Sequence, residues 1–369
     1  MPEEGFVSTS FLSRFRRDSG VGMKKPLSAS GIFRRRFAIF HSSLFPSRTI
    51  LPFIGAHSLL KEKRSFKGVS TASGSEGIRY ESGAENERVK GEKMIIKLLI
   101  VSGVLIVVTL TTLVILRRRD DGKVDTIWRS LEATPTHQVF TEDMVSDLPA
   151  PARRYLLHSI RPGTLLASSV SLEMRGTMRL KPEQDWMPMK ARQILAPPKG
   201  FVWRAEVGDG LMRFSGGDHY ANGNGRVRFW LWGVIPLVRQ EGPDVSRAAL
   251  GRLVCETIWM PSSLLPQRGV KWEALDDESA RATMNVGEET VALTLFVEPD
   301  GRLGEIRILR WGNQTENGAF GYIPFGGQIQ EERAFGGYTI PSKVSVGWSL
   351  GTERYFEFFR AQIEDIIFR

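Results

Sequence analysis

A single cysteine, Cys255, in 369 residues excludes an internal disulfide framework. Histidine is nearly as scarce. Of five in the chain, only His137, His158 and His219 lie beyond residue 120, and no pair of them has metal-ligand spacing. No glycine-rich phosphate cradle is present. The Asn-Gly-Asn-Gly of 222–225 lacks a third spaced glycine and leads into a strand, so it reads as a hairpin turn. A basic face is missing from the part that can fold. Residues 1–93 hold 17 Lys and Arg against 9 Asp and Glu, whereas residues 120–369 hold 29 against 32. The formal net charge of +9 is therefore a property of the N-terminal quarter. Binding of nucleic acid needs clustered cations that displace counterions from phosphates, and the C-terminal part has no such excess.

Against these absences stands one long uncharged run. Leu98 to Leu116, LLIVSGVLIVVTLTTLVIL, has 19 residues and no proline. As a helix it spans roughly 28 Å, close to the roughly 30 Å of a bilayer's hydrocarbon core. No small-residue cleavage site follows it; Arg117-Arg118-Arg119 does. The run predicts a single-pass membrane anchor over residues 94–119, placing the protein in a cell membrane. Its orientation depends on the flank. From Met94 onward the cations lie mainly after the run, which favours a cytoplasmic C-terminal part; with Arg79, Arg88, Lys90 and Lys93 included, that bias almost vanishes.

Residues 1–93 are rich in Ser and Arg, with only Glu3, Glu4 and Asp18 acidic among the first 60, and they show no sustained period. That composition fits a transit peptide, and it also fits an upstream region read from a misplaced start; GEKMIIKLLIV favours a start at Met94. Disorder is expected here in either case. Residues 120–146 read as a polar tether with one short helical stretch around KVDTIWRSLEA.

Residues 147–369 change character. LPAPARRYLLHSIRPG has proline before and Pro-Gly after, with Ala152, Tyr155, Leu156, Ser159 and Ile160 on one face, and predicts a short amphipathic helix. From Ser168 the period becomes two, through segments such as VSLEMRGTMRL, GFVWRAEV, VALTLFVE and TIPSKVSVGWSL. They are separated by turn residues such as Pro299-Asp300-Gly301 and Gly336-Gly337. The count is about eleven strands, interrupted by one long helix in PDVSRAALGRLVCETIW. The fold class is mainly β: a curved antiparallel sheet, or half-barrel, packed on one long helix and one or more short ones.

The densest segment is ETIWMPSSLLPQRGVKWEALDDESARAT, residues 256–283. Pro261 and Pro266 bracket a tight turn, and Asp276-Asp277 fall in a hairpin where aspartate caps its own backbone. Adjacent carboxylates in one exposed turn lack the unequal environments that acid–base catalysis needs. The segment reads as architecture. Cys255 sits mid-helix among apolar residues, as a structural thiol does. No catalytic residue, cofactor or metal is assigned.

Tryptophan is where the sequence points to a ligand. Large indoles recur where an apolar surface meets something exchangeable, and one long and one short helix cover only part of a curved sheet. Trp203, Trp230, Trp259, Trp272 and Trp348 are the candidates for lining a lipid-like or apolar site in the concave face. Two alternatives stand beside this reading. One is a hydrolase-type enzyme around Asp218, His219 or Glu256; the other is a module that binds another envelope protein.

The segments LPAPARRYLLHSI, GFVWRAEV, ETIWMPSSLLPQRGVKWEALDDESARAT, YIPFGG and FGGYTIPSKVSVGW together resemble a group of uncharacterised bacterial membrane-anchored proteins defined only as a domain of unknown function. The resemblance covers residues 147–369 and implies no established reaction. The strand pattern is also similar to the curved-sheet lipoprotein-carrier fold. That likeness implies an antiparallel half-barrel that wraps a helix and holds acyl chains.

Overall fold

The structure, a computed structural model, describes residues 77–134 and 137–369. The expectations for residues 1–76 lie outside the described residues. Helix α1 (Gly77–Leu131) contains the apolar run in its middle, and it is the one described helix long and apolar enough to cross a membrane. Its side chains from Leu98 to Leu110 have no protein cover. The helix differs from expectation at both ends. Residues 77–93 are helical, and the polar stretch after Arg119 continues the same helix to Leu131. The reason is local. Arg117 pairs with Asp121 one turn on, at 3.4 Å, and Val124, Ile127, Trp128 and Leu131 recur at helical spacing and pack on the sheet. The remainder of the expected tether is also anchored: Phe140 and Val145 are buried, and the Phe140 amide donates to the Thr164 carbonyl at 2.8 Å.

A single antiparallel sheet of thirteen strands follows. The first meander is β1 (Val170–Met178), β2 (Met187–Ala196), β3 (Gly200–Val207), β4 (Phe214–Ala221), β5 (Asn224–Leu231) and β6 (Ile235–Glu241). The second is β7 (Lys271–Ala274), β8 (Ser279–Val286), β9 (Glu289–Val297), β10 (Leu303–Gly312), β11 (Gly321–Phe335), β12 (Tyr338–Trp348) and β13 (Phe356–Phe368). Pairing of β1 with β13 joins them, giving the order β6-β5-β4-β3-β2-β1-β13-β12-β11-β10-β9-β8-β7. The two strands beyond the expected eleven are β4 and β6. Phe-Ser-Gly-Gly-Asp-His in β4 breaks the alternation, and β6 is a mostly exposed edge strand carrying Pro236.

This topology dictates where the long helix lies. β6 and β7 are opposite edges of the sheet, so the chain between them must cross its concave side. Helix α3 (Pro243–Cys255) makes that crossing and packs on β5 and β10 from either flank. Gly225 of β5 allows the close approach, since a Cβ there would sit 2.7 Å from Ser246 Cα. Three 3-10 turns from Glu256 to Arg268 complete the crossing. Helix α2 (Ala150–Ser159) covers strands β7 to β9 and β12, and it buries the face expected of it: Ala152, Tyr155, Leu156, Ser159 and then Ile160.

The 256–283 segment holds this core together. Trp259 is buried and its Nε1 donates to the Pro341 carbonyl at 3.1 Å. Half-buried Trp272 donates to the Leu264 carbonyl at 2.9 Å, and Ser262 Oγ to the Ala167 carbonyl at 2.8 Å. Asp276 lies in the β7–β8 turn, where its carboxylate accepts from the Glu278 amide at 2.9 Å. The Asn222-Gly223 turn between β4 and β5 has φ of 51° and 78°, the left-handed pair that a two-residue hairpin requires.

Candidate functional site at the mouth of the curled sheet

Strand register sorts every side chain to one face. Trp203 lies directly opposite Asp218, and both point into the concave side; Val202 lies opposite His219, and both point out. Within the concavity the aromatic rings form a continuous layer. Trp203 meets Phe229 and Phe359 at 6.3 and 6.5 Å between centroids. Trp348 meets Phe325 at 4.7 Å and Phe358 at 6.4 Å. A register shift between β12 and β13 at Val346/Gly347 leaves Phe358 as the extra residue, which brings it onto the same face as Phe359 and Phe356.

Two half-buried arginines lie on this layer. Arg252 of α3 stacks on Phe201 and Trp203, each at 4.9 Å, and Arg310 of β10 stacks on Phe325 at 4.6 Å and Trp348 at 5.1 Å. Arg252 Nη1 donates to both oxygens of Asp218, at 2.6 and 2.8 Å, and its Nε donates to Glu256 at 2.7 Å. Gln193 Nε2 donates to the other Glu256 oxygen at 2.5 Å. Burial raises the Glu256 pKa, and neighbouring Arg252 opposes that rise. For Arg252 burial works against the charge, but Asp218 and Glu256 together outweigh it, so its pKa is raised. Arg310 donates to the Ala248 carbonyl at 3.2 Å, and burial lowers its pKa. Its side chain runs beneath Gly251, where a Cβ would meet Arg310 Cγ at 2.9 Å. Burial pushes the Cys255 thiol up to about 12, so it stays protonated at neutral pH.

The layer is covered by α3 toward one end of the strands and left half-open toward the other. At the open end the half-buried concave residues are Met178, Met187, Phe229, Leu231, Phe356 and Phe359. They come from the end of β1, the start of β2, the end of β5 and the start of β13, so they form one mouth.

The outer face carries the docked end of α1. Ile194, Ala196 and Val202 are buried beneath Val124, Ile127, Trp128 and Leu131. An ionic clasp flanks this contact: Asp120, 7 % exposed, receives Arg226 and Arg228, the latter at 3.0 Å, and Asp125 receives Arg204 at 2.6 Å. Arg117 stacks on Trp230 at 5.1 Å. Between the helix and the strands runs a groove of about 650 Å³, with Asp120, Asp121, Lys190, Arg204, His219 and Arg228 among its lining. Burial lowers the His219 pKa, partly opposed by the charge of Asp218.

The structure thus divides the residues singled out from sequence. Trp203 and Trp348 floor the mouth. Trp259 and Trp272 lie away from the mouth, the first buried and the second half-buried on edge strand β7, held by carbonyls of β12 and the 3-10 segment. Trp230 is on the outer face under Arg117. Asp218 and Glu256 meet at Arg252, while His219 faces the opposite side of the sheet. The sequence reading missed Arg252, Arg310 and the methionines of the mouth. The available signal was an arginine between Leu250 and Leu253 on the buried face of α3.

Three solved structures align with part of the chain. A LolA superfamily protein from Nitrosomonas europaea aligns with TM-score 0.33 and 10% identity over 59% of this chain and 92% of its own. A domain described as an outer membrane lipoprotein-sorting protein, from Vibrio parahaemolyticus, gives 0.30 and 7% over 55% and 86%. A DUF1329 family protein from Desulfovibrio piger gives 0.26 and 9% over the same shares, 55% and 86%. A search of the curated proteins finds no match. Residues 138–361 match the family of unknown function DUF6544, and the chain belongs to that family.

Proposed function

We propose that this protein is a membrane-tethered binder of an apolar or lipid-like ligand, which it takes into the mouth of the concave face. The observation that carries the reading is the half-open aromatic and methionine layer at one end of the sheet. Met178, Met187, Phe229, Leu231, Phe356 and Phe359 pack on the core yet keep part of their surface in solvent. Apolar surface of this kind gains by being covered, at about 0.8 kcal/mol per buried methylene. Ten methylenes contribute about 8 kcal/mol, comparable with the roughly 4–15 kcal/mol that association costs. Methionine and phenylalanine suit a chain of variable shape, since thioethers repack around irregular ligands.

The anchor supplies the second half of the reading. Leu98–Leu116 spans the bilayer, residues 94–119 form the anchor, and residues 147–369 form the binding domain. The test is co-purification: the full chain, extracted in mild detergent, carries lipid detectable by native mass spectrometry after the detergent is stripped. Replacing Phe359 and Leu231 with aspartate removes that lipid while the protein stays folded. A folded wild-type protein that carries none refutes the reading.

A further inference from the structure

Two neighbouring connections at the open end of the sheet carry apolar side chains that nothing in the fold covers. The β3–β4 connection presents Leu211, 79 % exposed, and Met212; the β5–β6 turn presents Trp232, 55 % exposed, with Ile235 and Leu237 just after it on the edge strand. The two connections form one unit. Trp232 Nε1 donates to the Leu211 carbonyl at 3.1 Å, and the Trp232 amide donates to the Arg213 carbonyl at the same distance. Other exposed large apolar residues of the described domain, such as Leu165, Leu275, Leu309 and Ile367, lie apart from this unit on other elements. A contiguous patch is a contact surface, whereas scattered residues need no explanation.

The height of this patch relative to the apolar run is fixed by contacts. Arg117 is the first residue after Leu116, and its guanidinium rests against Gly233 in the β5–β6 turn as well as on Trp230. The ionic clasp and the apolar seam lock residues 120–131 of the same continuous helix to the sheet. The end of the apolar run and the tip bearing Trp232 therefore lie at one level. The side chains there are those that partition into a bilayer interface: an indole, a leucine and a methionine, with Arg213 following Met212 and with Arg118 and Arg119 following Arg117 on α1.

We infer that Leu211, Met212, Trp232 and Ile235 form a wedge that enters the headgroup region of the bilayer in which α1 is anchored. This rests on the membrane-tether reading above and extends it. The mouth lies at the same end of the strands as the wedge, since Leu231 ends β5 and Trp232 follows it. The wedge holds the mouth against the lipid surface, so an acyl chain can pass into it without crossing bulk water.

The test uses the full chain reconstituted in phosphatidylcholine–phosphatidylglycerol vesicles, with spin labels at single engineered cysteines. Native Cys255 is buried and does not compete for label. Labels go on Leu211→Cys, Met212→Cys and Ile235→Cys. Asn222→Cys, in the β4–β5 turn at the far end of the sheet, is the aqueous reference, and Val107→Cys in the apolar run is the hydrocarbon reference. Power saturation compares collision with oxygen, which concentrates in lipid, against a water-soluble nickel chelate. The wedge positions are expected to favour oxygen, between the two references. If they match Asn222→Cys while Val107→Cys reads hydrocarbon, the wedge is refuted and the anchor stands. If Val107→Cys also reads water, the anchor itself fails and the wedge with it.

Discussion

Replacing Asp120 with alanine tests whether the last turns of α1 are part of the domain or a strap lying against it. Asp120 is nearly buried and receives both Arg226 and Arg228. Breaking a buried charge pair by removing one partner costs about 3–5 kcal/mol. The loss here is smaller for a stated reason. The two guanidiniums keep some contact with water, and Glu241 remains 3.5 and 3.6 Å from them. A cost of about 2–3 kcal/mol follows, directed at the contact between α1 and strands β2 to β5. At 1.36 kcal/mol per factor of ten, the equilibrium for lifting the helix segment rises about 30- to 160-fold. A cysteine at Ile194 reads that opening. Ile194 is fully covered and lies beneath Val124, Ile127 and Trp128, so its replacement reacts with a maleimide only when the helix lifts. Native Cys255, buried and with its thiol pushed up to about 12, stays silent. The labelling rate of Ile194→Cys is expected to rise by the same 30- to 160-fold when Asp120→Ala is added. A rate unchanged within a factor of three, with the melting temperature nonetheless lowered, would show that Asp120 stabilises the sheet and not the docking.

Other substitutions probe the interior. Trp259→Ala removes a buried indole and its bond to the Pro341 carbonyl, and chemical denaturation should show a loss of about 3–5 kcal/mol. Asp276→Asn and Asp277→Asn, in the exposed β7–β8 turn, should leave the melting temperature where it was. Arg252→Met strands Asp218 and Glu256 as largely covered carboxylates and should cost about 2–4 kcal/mol, somewhat less than a fully buried pair. Adding Asp218→Asn and Glu256→Gln should recover part of it, and no recovery would mean that the stacking on Trp203, not the charge, was lost. For His219, burial depresses the folded-state pKa below the ordinary 6.5. Its contribution is thus present above that pH and lost as pH falls through the folded value. The melting temperature of wild type should drop more steeply between pH 7 and 5 than that of His219→Gln; parallel profiles would remove this role.

How much of this was legible beforehand depended on whether a residue's neighbours lay near it in sequence. Helix α2 shows its buried face in Ala152, Tyr155, Leu156 and Ser159, and strands β8 and β9 alternate cleanly because one face of each is wet. Strand β4 did not show itself, because Gly216 and Gly217 replace the side chains that mark a strand, and β6 is an edge with little to bury. The face of a tryptophan was equally hidden. Trp230 and Trp203 sit in equally apolar segments, and only the register between β3, β4 and β5 sends one outward and the other in. Long-range partners were least visible. Arg252 reads as an interruption in an apolar helix until Asp218, 34 residues upstream, is brought beneath it. The run from Asp120 to Leu131 looked like part of a polar tether because the surface its apolar residues need, Ile194 and Val202, lies more than sixty positions away.

Intrinsic fluorescence reports directly whether the mouth of the concave face takes an acyl chain. Residues 117–369 keep the docked end of α1 but not the apolar run, and a Trp186→Phe/Trp232→Phe background removes the two tryptophans of the rim that reach solvent. Adding a brominated fatty acid should quench emission saturably, because Trp203 and Trp348 floor the mouth and bromine quenches only at contact. Phe359→Asp with Leu231→Asp should abolish the effect without unfolding the sheet. A folded sample whose emission ignores the brominated acid, or quenching that survives both aspartates, would contradict the account.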